Sequence, residues 1–213
     1  MSSVAVIDYG MGNLHSIAKA LQHADSSVNV QISADAAVIH AADRVVFPGV
    51  GAIRDCMQAL TDSGLADVIR DVSSSKPFLG ICLGMQALLT DNEENDGIDC
   101  LNIIPGHVRR FADHMLDGAG NVLKIPHMGW NRVKQMPHPL WQDIPDHSRF
   151  YFVHSYYAVP DDARHTAASA DYPQAFTCAL AKDNVFAVQF HPEKSQAVGL
   201  QLLQNFLRWN GMV

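Results

Sequence analysis

The stretch Phe78-Leu-Gly-Ile-Cys-Leu-Gly84 places one cysteine between two glycines at the end of an apolar run. Phe78–Ile81 predicts a buried strand, and Leu83–Thr90 predicts a helix directly after it. This strand-to-helix junction is typical of a nucleophile elbow, a tight and strained turn in which the neighbours of the nucleophile must be small. The turn exposes the Cys82 sulfur and directs the first amides of the helix towards it, which favours a thiolate. We therefore expect Cys82 to act as a nucleophile.

Around this elbow, the first half of the chain alternates between apolar strands and amphipathic helices. The other predicted strands of this half are Val4–Asp8, Val28–Ile32 and Arg44–Phe47, and the other helices are Leu14–His23, Ala34–Ala41, Ala52–Leu60 and Leu65–Ser73. Continuous apolar strands separated by helices indicate a parallel sheet that is covered on both faces.

The second half of the chain has a different pattern, in which strands follow one another. They are predicted at Ile103–Phe111, Val122–Ile125, Trp130–Val133, Phe150–Val159, Ala175–Ala181 and Val185–Phe190. Asp91–Gly97 is polar and predicts a surface loop, Lys182–Asn184 predicts a hairpin turn, and Ser195–Trp209 predicts a final helix. We therefore expect one α/β domain over residues 1–213, with a mostly parallel central sheet flanked by helices and an antiparallel strand extension.

Composition excludes several classes of function. The chain has 213 residues, of which 48% are hydrophobic, and its net charge is −7. Because no stripe of Lys and Arg is present, nucleic acid and anionic membranes are poor candidates as partners. No apolar run approaches the roughly 20 residues of a membrane span, and the first residues lack the basic region of a signal peptide. Four cysteines without a C-x-x-C pair favour the reducing cytoplasm, and Cys56 and Cys178 are expected to be small buried hydrophobes.

A thiolate needs a base, and His191 is the strongest candidate among the 11 histidines. It ends the apolar run Val185–Phe190 and precedes Pro192, which stops the strand. His191 is therefore expected at a strand tip, where open α/β sheets carry their sites. Glu193, two residues further on, can hold the imidazole in one tautomer. Alone, His-Pro-Glu is as typical of a strand cap as of a catalytic pair, but the elbow strengthens the catalytic interpretation.

An oxyanion formed at Cys82 needs hydrogen-bond donors. The amide of Leu83, the residue after the nucleophile, is one candidate. The loop Pro48-Gly-Val-Gly51 is another, although it also fits an ordinary strand-to-helix turn. No cofactor or metal is expected. Gly10-Met-Gly12 resembles a dinucleotide fingerprint, but His15 occupies the third glycine position, and no Cys or His spacing suits zinc.

With Cys82, His191 and Glu193 together, the chain resembles the class I (triad-type) glutamine amidotransferases, which have a flavodoxin-like fold. Within this class it is most similar to the family of glutaminase subunits of imidazole glycerol phosphate synthases. The motifs that carry the resemblance are Asp8-Tyr-Gly-Met-Gly-Asn-Leu14, Pro48-Gly-Val-Gly51, Gly80-Ile-Cys-Leu-Gly-Met-Gln86, Pro126-His-Met-Gly-Trp-Asn131, Tyr151-Phe-Val-His-Ser-Tyr156 and Gln189-Phe-His-Pro-Glu-Lys-Ser195. The stretches around Asp8 and Trp130 are the ones that point to this particular family.

The resemblance implies that the substrate is L-glutamine. The Cys82 thiolate would attack the side-chain carboxamide, and His191 would protonate the departing ammonia. By the same resemblance the oxyanion groups are Leu83, Val50 and Gly49, and the glutamine-binding groups are Gln86, Gly51, His154, Ser155 and Tyr156.

The chain has the parts to release ammonia but no second site that would use it. Ammonia in water is mostly protonated and not nucleophilic, so its use needs a dry path. The resemblance implies a heterodimer with a (β/α)₈-barrel synthase, which uses ammonia to form imidazole glycerol phosphate and aminoimidazole carboxamide ribonucleotide in histidine biosynthesis. The residues that match the interface or the ammonia gate are Asn13, Met128, Trp130, Tyr151 and Lys194. Trp130 and Tyr151 fit plain core aromatics equally well.

Three alternatives stay open. A stand-alone cysteine hydrolase of the same fold would need no partner. A non-catalytic binding subunit would keep the fold, although the complete set Cys82, His191 and Glu193 argues against it. A glutaminase of another synthase would have the same elbow and the same base.

Overall fold

A computed structural model describes residues 2–212. Strands β1 to β14 of this region are Ser3–Ile7, Asn29–Ser33, Arg44–Gly49, Phe78–Cys82, Asp91–Asn92, Ile98–Asp99, Gly106–Arg110, His127–Arg132, Lys134–Gln135, Arg149–His154, Tyr156–Pro160, Thr166–Asp171, Ala175–Lys182 and Val185–Val188. Helices α1 to α6 are Leu14–Ala24, Ala36–Ala41, Ile53–Asp62, Leu65–Ser73, Leu83–Ala87 and Gln196–Arg208.

The main sheet confirms the predicted class, a largely parallel centre with an antiparallel extension. Its order is β2-β1-β3-β4-β14-β13-β11-β7-β5-β6, with β12 and β9 attached beside β13. The run from β2 to β14 is parallel throughout, and β13 is the first antiparallel neighbour. The hairpin predicted at Lys182–Asn184 joins β13 to β14. The strand of Cys82 thus lies between β3 and β14, in the middle of the parallel region.

Both faces of the parallel region are buried, as the continuous apolar strands predict. Side chains alternate along β1, so that Val4 and Val6 pack in one hydrophobic cluster with α1 and α6, while Ala5 and Ile7 pack in a second cluster with α2, α3 and α4. Cys56 in α3 and Cys178 in β13 are fully buried, as expected. None of the helices between residues 2 and 212 combines the length and the apolar character needed to cross a bilayer.

The segment Phe150–Val159, predicted as one strand, forms two strands that belong to different sheets. β10 pairs with β8 in a separate two-stranded antiparallel sheet, and β11 pairs with β7 and β13 in the main sheet. Ser155 lies at the break, where its carbonyl accepts the Phe111 N–H. The prediction was wrong because an apolar pattern does not reveal a change of partner strand.

Two further predictions were wrong, and one strand was not predicted. Val122–Ile125 forms no strand, because Val122 is 61% exposed and its pairing is limited to one isolated β-bridge with Leu116. The elbow helix ends at Ala87, because the carbonyls of residues 87–89 accept main-chain N–H groups of residues 101–104. Thr166–Asp171, which lacks the β-branched and aromatic residues typical of strands, is β12.

Candidate active site

The elbow at the end of β4 has the predicted strained geometry. Cys82 has φ +55° and ψ −110°, a conformation that is uncommon for a residue with a side chain. A Cβ at Gly84 would overlap the carbonyl oxygen of Phe47 in β3, and a Cβ at Gly80 would lie 3.0 Å from the Leu88 side chain. Glycine therefore allows α5 to pack directly on the backbone of β3.

His191 and Glu193 follow β14 in a short 3₁₀ turn, Pro192–Lys194. Nδ1 of His191 lies 2.9 Å from Oε1 of Glu193, and both side chains are almost completely buried. The His191 main chain is held at both ends, because its N–H donates to the Tyr151 carbonyl and its carbonyl accepts from the Ser195 hydroxyl. The carboxylate therefore fixes Nδ1 as the protonated nitrogen and leaves Nε2 for the reaction.

The charge of His191 depends on its two neighbours. Burial alone lowers the pKa of His191, but the interactions with Cys82 and Glu193 outweigh burial and raise that pKa to about 9. Within residues 2–212, Nε2 has no hydrogen-bond partner of acceptable geometry, so we attribute the effect of Cys82 to the proximity of its charge. The raised pKa favours the imidazolium form of His191 at neutral pH.

A cavity of about 270 Å³ opens beside the sulfur. Its lining includes Cys82, His191 and most of the predicted oxyanion and glutamine-binding residues: Val50, Gly51, Leu83, Gln86, His154, Ser155 and Tyr156. Gly49 is not part of this lining; it pairs with Cys82 across β3 and β4, and a Cβ added to it would lie 2.8 Å from the Gly84 amide nitrogen. This volume is at the low end for small-molecule pockets and suits a single amino acid.

Comparison with known proteins agrees with this geometry. The sequence profile described as "Glutamine amidotransferase class-I" matches residues 5–209. The chain belongs to the class-I glutamine amidotransferases. It is 64% identical to "Imidazole glycerol phosphate synthase subunit HisH" of Methylococcus capsulatus over 98% of this chain and 97% of that protein. It is 58% identical to "Imidazole glycerol phosphate synthase subunit HisH 1" of Pseudomonas aeruginosa, over 99% of each chain.

Solved structures with this fold are more distant in sequence from this class-I amidotransferase. One is "Structure of PurLQS from Thermotoga maritima", with a TM-score of 0.72, 15% identity and coverage of 97% of this chain and 98% of that chain. Another, "Crystal structure of glutamine amidotransferase", has a TM-score of 0.69, 16% identity and coverage of 96% of this chain and 97% of that chain. These likenesses support the fold alone.

Three polar residues at this amidotransferase site were missed by the sequence analysis. Glu94 lines the cavity, and its Oε2 accepts the Ile53 N–H at the start of α3. Asn92 and Gln189 are fully buried close to it. Glu94 and Asn92 lie in the segment Asp91–Gly97, which was predicted to be only a surface loop. The signal for Gln189 was a polar residue inside the apolar run Val185–Phe190.

Several of the residues matched to the interface or gate lie near the turn that follows His191. Met128 and Trp130 of β8 are 66% and 38% exposed, so Trp130 is not a core aromatic. The Trp130 ring lies edge-on to half-buried Tyr151, and Lys194 Nζ lies 6.0 Å from the centre of the Tyr151 ring. Exposed Asn13 precedes α1, which contacts the Pro192–Lys194 turn. Trp130 and Tyr151 therefore lie beside the turn that carries His191 and Glu193, and Lys194 belongs to that turn.

Proposed function

We propose that this chain, acting as one domain, is the glutaminase subunit of an imidazole glycerol phosphate synthase in histidine biosynthesis. It hydrolyses L-glutamine to L-glutamate and ammonia. The observation that carries the proposal is that Cys82 and His191 line one cavity in the middle of the sheet, with Glu193 hydrogen-bonded to His191. The high identity over nearly the full length with proteins named as HisH subunits supports the same function.

The reaction begins when the Cys82 thiolate attacks the carboxamide carbon of glutamine and forms a C–S bond and a tetrahedral oxyanion. His191 then gives its Nε2 proton to the nitrogen as the C–N bond breaks, so that ammonia leaves and a thioester remains. The now neutral imidazole takes a proton from water, which attacks the thioester and releases glutamate and the thiolate. Glu193 stabilises the imidazolium each time it forms in this cycle.

The oxyanion is held by main-chain amides at the mouth of the elbow. As the first residue of α5, Leu83 has an N–H that no earlier helical carbonyl can accept. Val50 follows β3 directly, and Gly51 after it has φ +99°, a conformation suited to glycine. The Val50 amide is the second donor, and it turns towards the site when the partner subunit is loaded with its own ligand.

The α-ammonium group of glutamine lies between Gln86 and Glu94. Both protons of Gln86 Nε2 are used, one by Gln189 Oε1 and one by the Tyr156 carbonyl. Only Oε1 of Gln86 keeps a free lone pair, so this side chain offers the substrate an acceptor. The carboxylate of Glu94 adds a negative charge on the same wall. Two acceptors suit the cationic end of an amino acid.

The relatives are named as subunits, and the partner of this chain is a (β/α)₈-barrel synthase that receives the ammonia. Met128 and Trp130 form an exposed apolar patch next to Tyr151, whose carbonyl binds the His191 amide. A barrel docked on this patch lies next to the turn that carries His191 and Glu193. Four free cysteines fit a heterodimer in the reducing cytoplasm.

The deciding assay measures glutamine hydrolysis by the purified chain, with and without the purified barrel protein and its ribonucleotide ligand. We expect slow turnover alone, strong activation in the loaded complex, and no turnover with Cys82→Ala. Equal turnover without the barrel would favour a stand-alone hydrolase. Failure of a glutamine-like electrophile to label Cys82 would favour a non-catalytic binding role. Activation by a different synthase would assign the chain to that synthase.

A further inference from the structure

A continuous line of buried amides runs from the Glu94 loop to the catalytic sulfur. The Glu94 N–H donates to Oδ1 of Asn92 over 2.9 Å, and Nδ2 of Asn92 donates to Oε1 of Gln86 over 3.2 Å. Nε2 of Gln86 donates to Oε1 of Gln189 over 3.0 Å, and Nε2 of Gln189 donates to Sγ of Cys82 over 3.6 Å. Gln86 is 4% exposed, and Asn92 and Gln189 are fully buried.

The direction of every bond in this line is fixed by two main-chain groups. The Glu94 N–H can only donate, so it selects Oδ1 of Asn92 and turns Nδ2 towards Gln86. The Tyr156 carbonyl can only accept, so it selects Nε2 of Gln86. Both constraints give Gln86 the same orientation, and Gln189 must then accept from Gln86 through Oε1. Its amide nitrogen therefore faces the sulfur.

We infer that Gln189 stabilises the Cys82 thiolate as a hydrogen-bond donor, and that Asn92 and Gln86 are positioning residues that keep its N–H group turned towards the sulfur. This inference rests on the proposed function in that Cys82 is the nucleophile. It assigns to Gln189 a role beside that of His191, because an amide donor stabilises the negative sulfur at every pH, whereas an imidazolium does so only while it is protonated.

The polar line also has a physical cost that a purely structural role does not explain. Buried amides cost free energy unless all their groups are paired, and an apolar side chain would fill the same space without this demand. Here Asn92, Gln86 and Gln189 each accept one hydrogen bond through the amide oxygen and donate the next one through the amide nitrogen. The last of these bonds reaches the reacting sulfur of Cys82. The polar line also begins at Glu94, which lines the cavity.

The test is the rate at which iodoacetamide alkylates Cys82 as a function of pH, in the full chain without glutamine and without partner. Mass spectrometry of the modified peptide identifies the site. The other cysteines are suitable internal references, because burial raises the pKa of Cys56 and of Cys100 to about 12 and also raises that of Cys178. Only Cys82 lines the cavity among the cysteines of residues 2–212.

Gln189→Met keeps an unbranched side chain of similar length but removes the donor. We expect its alkylation rate at pH 7 to fall about tenfold, the value of one weak hydrogen bond to a charged acceptor, and its rate profile to move to higher pH. Gln189→Glu, which has nearly the same shape, serves as a second variant if the first does not fold, and its rate should fall further. Gln174→Met is the matched control, because Gln174 is exposed, and its profile should not change.

Asn92→Asp tests the transmission along the line. Aspartate still accepts from the Glu94 N–H but cannot donate to Gln86, and it places a carboxylate oxygen against Oε1 of Gln86. The Tyr156 carbonyl alone then holds Gln86 against this repulsion, so the orientation of the Gln189 amide is weakened. We expect the alkylation rate of Cys82 at pH 7 to fall about threefold or more, which corresponds to a fraction of the free energy of one hydrogen bond. Asn95→Asp adds the same charge to the same loop at an exposed position and controls for electrostatics.

A wild-type pH profile in folded Gln189→Met or Gln189→Glu would overturn the role of Gln189. If the alkylation rate falls no further in Asn92→Asp than in Asn95→Asp, the role of the positioning residues would be overturned. These outcomes do not depend on whether the proposed function is correct. Absence of glutaminase activity in the wild-type complex would refute that function, whereas the alkylation profiles would still decide whether the amides act on the sulfur.

Discussion

Replacement of Gly84 by alanine is expected to damage the elbow severely, because the new Cβ would occupy the position of a main-chain atom. The overlapping atom is the carbonyl oxygen of Phe47, a fully buried residue in β3, which is paired on both sides. A flexible side chain moves aside at small cost, but this carbonyl cannot. The helix α5 must therefore shift away from β3.

The size of the effect follows from the kind of atom that is displaced. Overpacking of a core costs typically 1–3 kcal/mol, and a rigid backbone neighbour puts Gly84→Ala at about 3 kcal/mol or above. For a chain of this length that corresponds to a fall in Tm of about 6–12 °C. A shift of about 1 Å in α5 also moves the Leu83 amide, and misplacement on this scale costs about 100-fold in turnover.

Thermal unfolding of the chain and glutamine hydrolysis in the complex measure the two effects. Gly80→Ala gives an intermediate case and should cost about 1 kcal/mol. Its Cβ would lie 3.0 Å from the flexible end of the Leu88 side chain and 3.1 Å from the Ala187 Cβ, so the neighbours need to shift by only a few tenths of an ångström. Gly118→Ala is the control, because nothing lies within 4 Å of its Cβ, and it should change stability by less than about 1 kcal/mol. Equal stability of Gly84→Ala and Gly118→Ala would refute the argument from packing.

Three other predictions concern the chemistry of the site. The pKa of His191 is raised to about 9, above its ordinary value of 6.5, so the stability that it contributes is complete below about pH 6.5 and is lost as the pH rises through 9. The stability difference between wild type and His191→Gln, measured by urea unfolding, should therefore shrink over this range, and a difference that grows with pH would contradict the assignment. Val50→Pro removes one main-chain N–H and should lower glutaminase turnover in the complex roughly 10²–10³-fold; full turnover in a folded, partner-bound variant would show that this amide is irrelevant. Glu94→Gln should raise KM for glutamine about tenfold with little change in kcat, because it removes a charged contact to the substrate, while Glu93→Gln, at an exposed neighbouring position, should leave KM unchanged.

The sequence alone predicted those features that depend on residues close together in the chain. The elbow follows from glycines at fixed positions around Cys82, and the bond between His191 and Glu193 joins residues two apart in one turn. The parallel region follows from continuous apolar strands, which need cover on both faces. The meeting of the triad then follows from the topology, because β4 and β14 are neighbours and their ends lie at the same edge.

The remaining features depend on contacts between distant segments. Asp91–Gly97 is acidic and polar, so composition predicts a solvated loop. Asn92 is nevertheless buried, because β5 pairs with β7 and places that side chain next to Gln86. The role of Gln189 likewise depends on Gln86 and Cys82, which lie far away in the chain. A buried polar residue can be noticed in a sequence, but its partner is set by tertiary structure.

The break at Ser155 positions both His191 and Gln86, and the sequence did not predict this break. On one side of it, β10 belongs to the small sheet and presents the Tyr151 carbonyl to the His191 amide. On the other side, β11 belongs to the main sheet, and the Tyr156 carbonyl orients Gln86. The base and the amide line that ends at the sulfur are therefore positioned by two different sheets, joined by one residue.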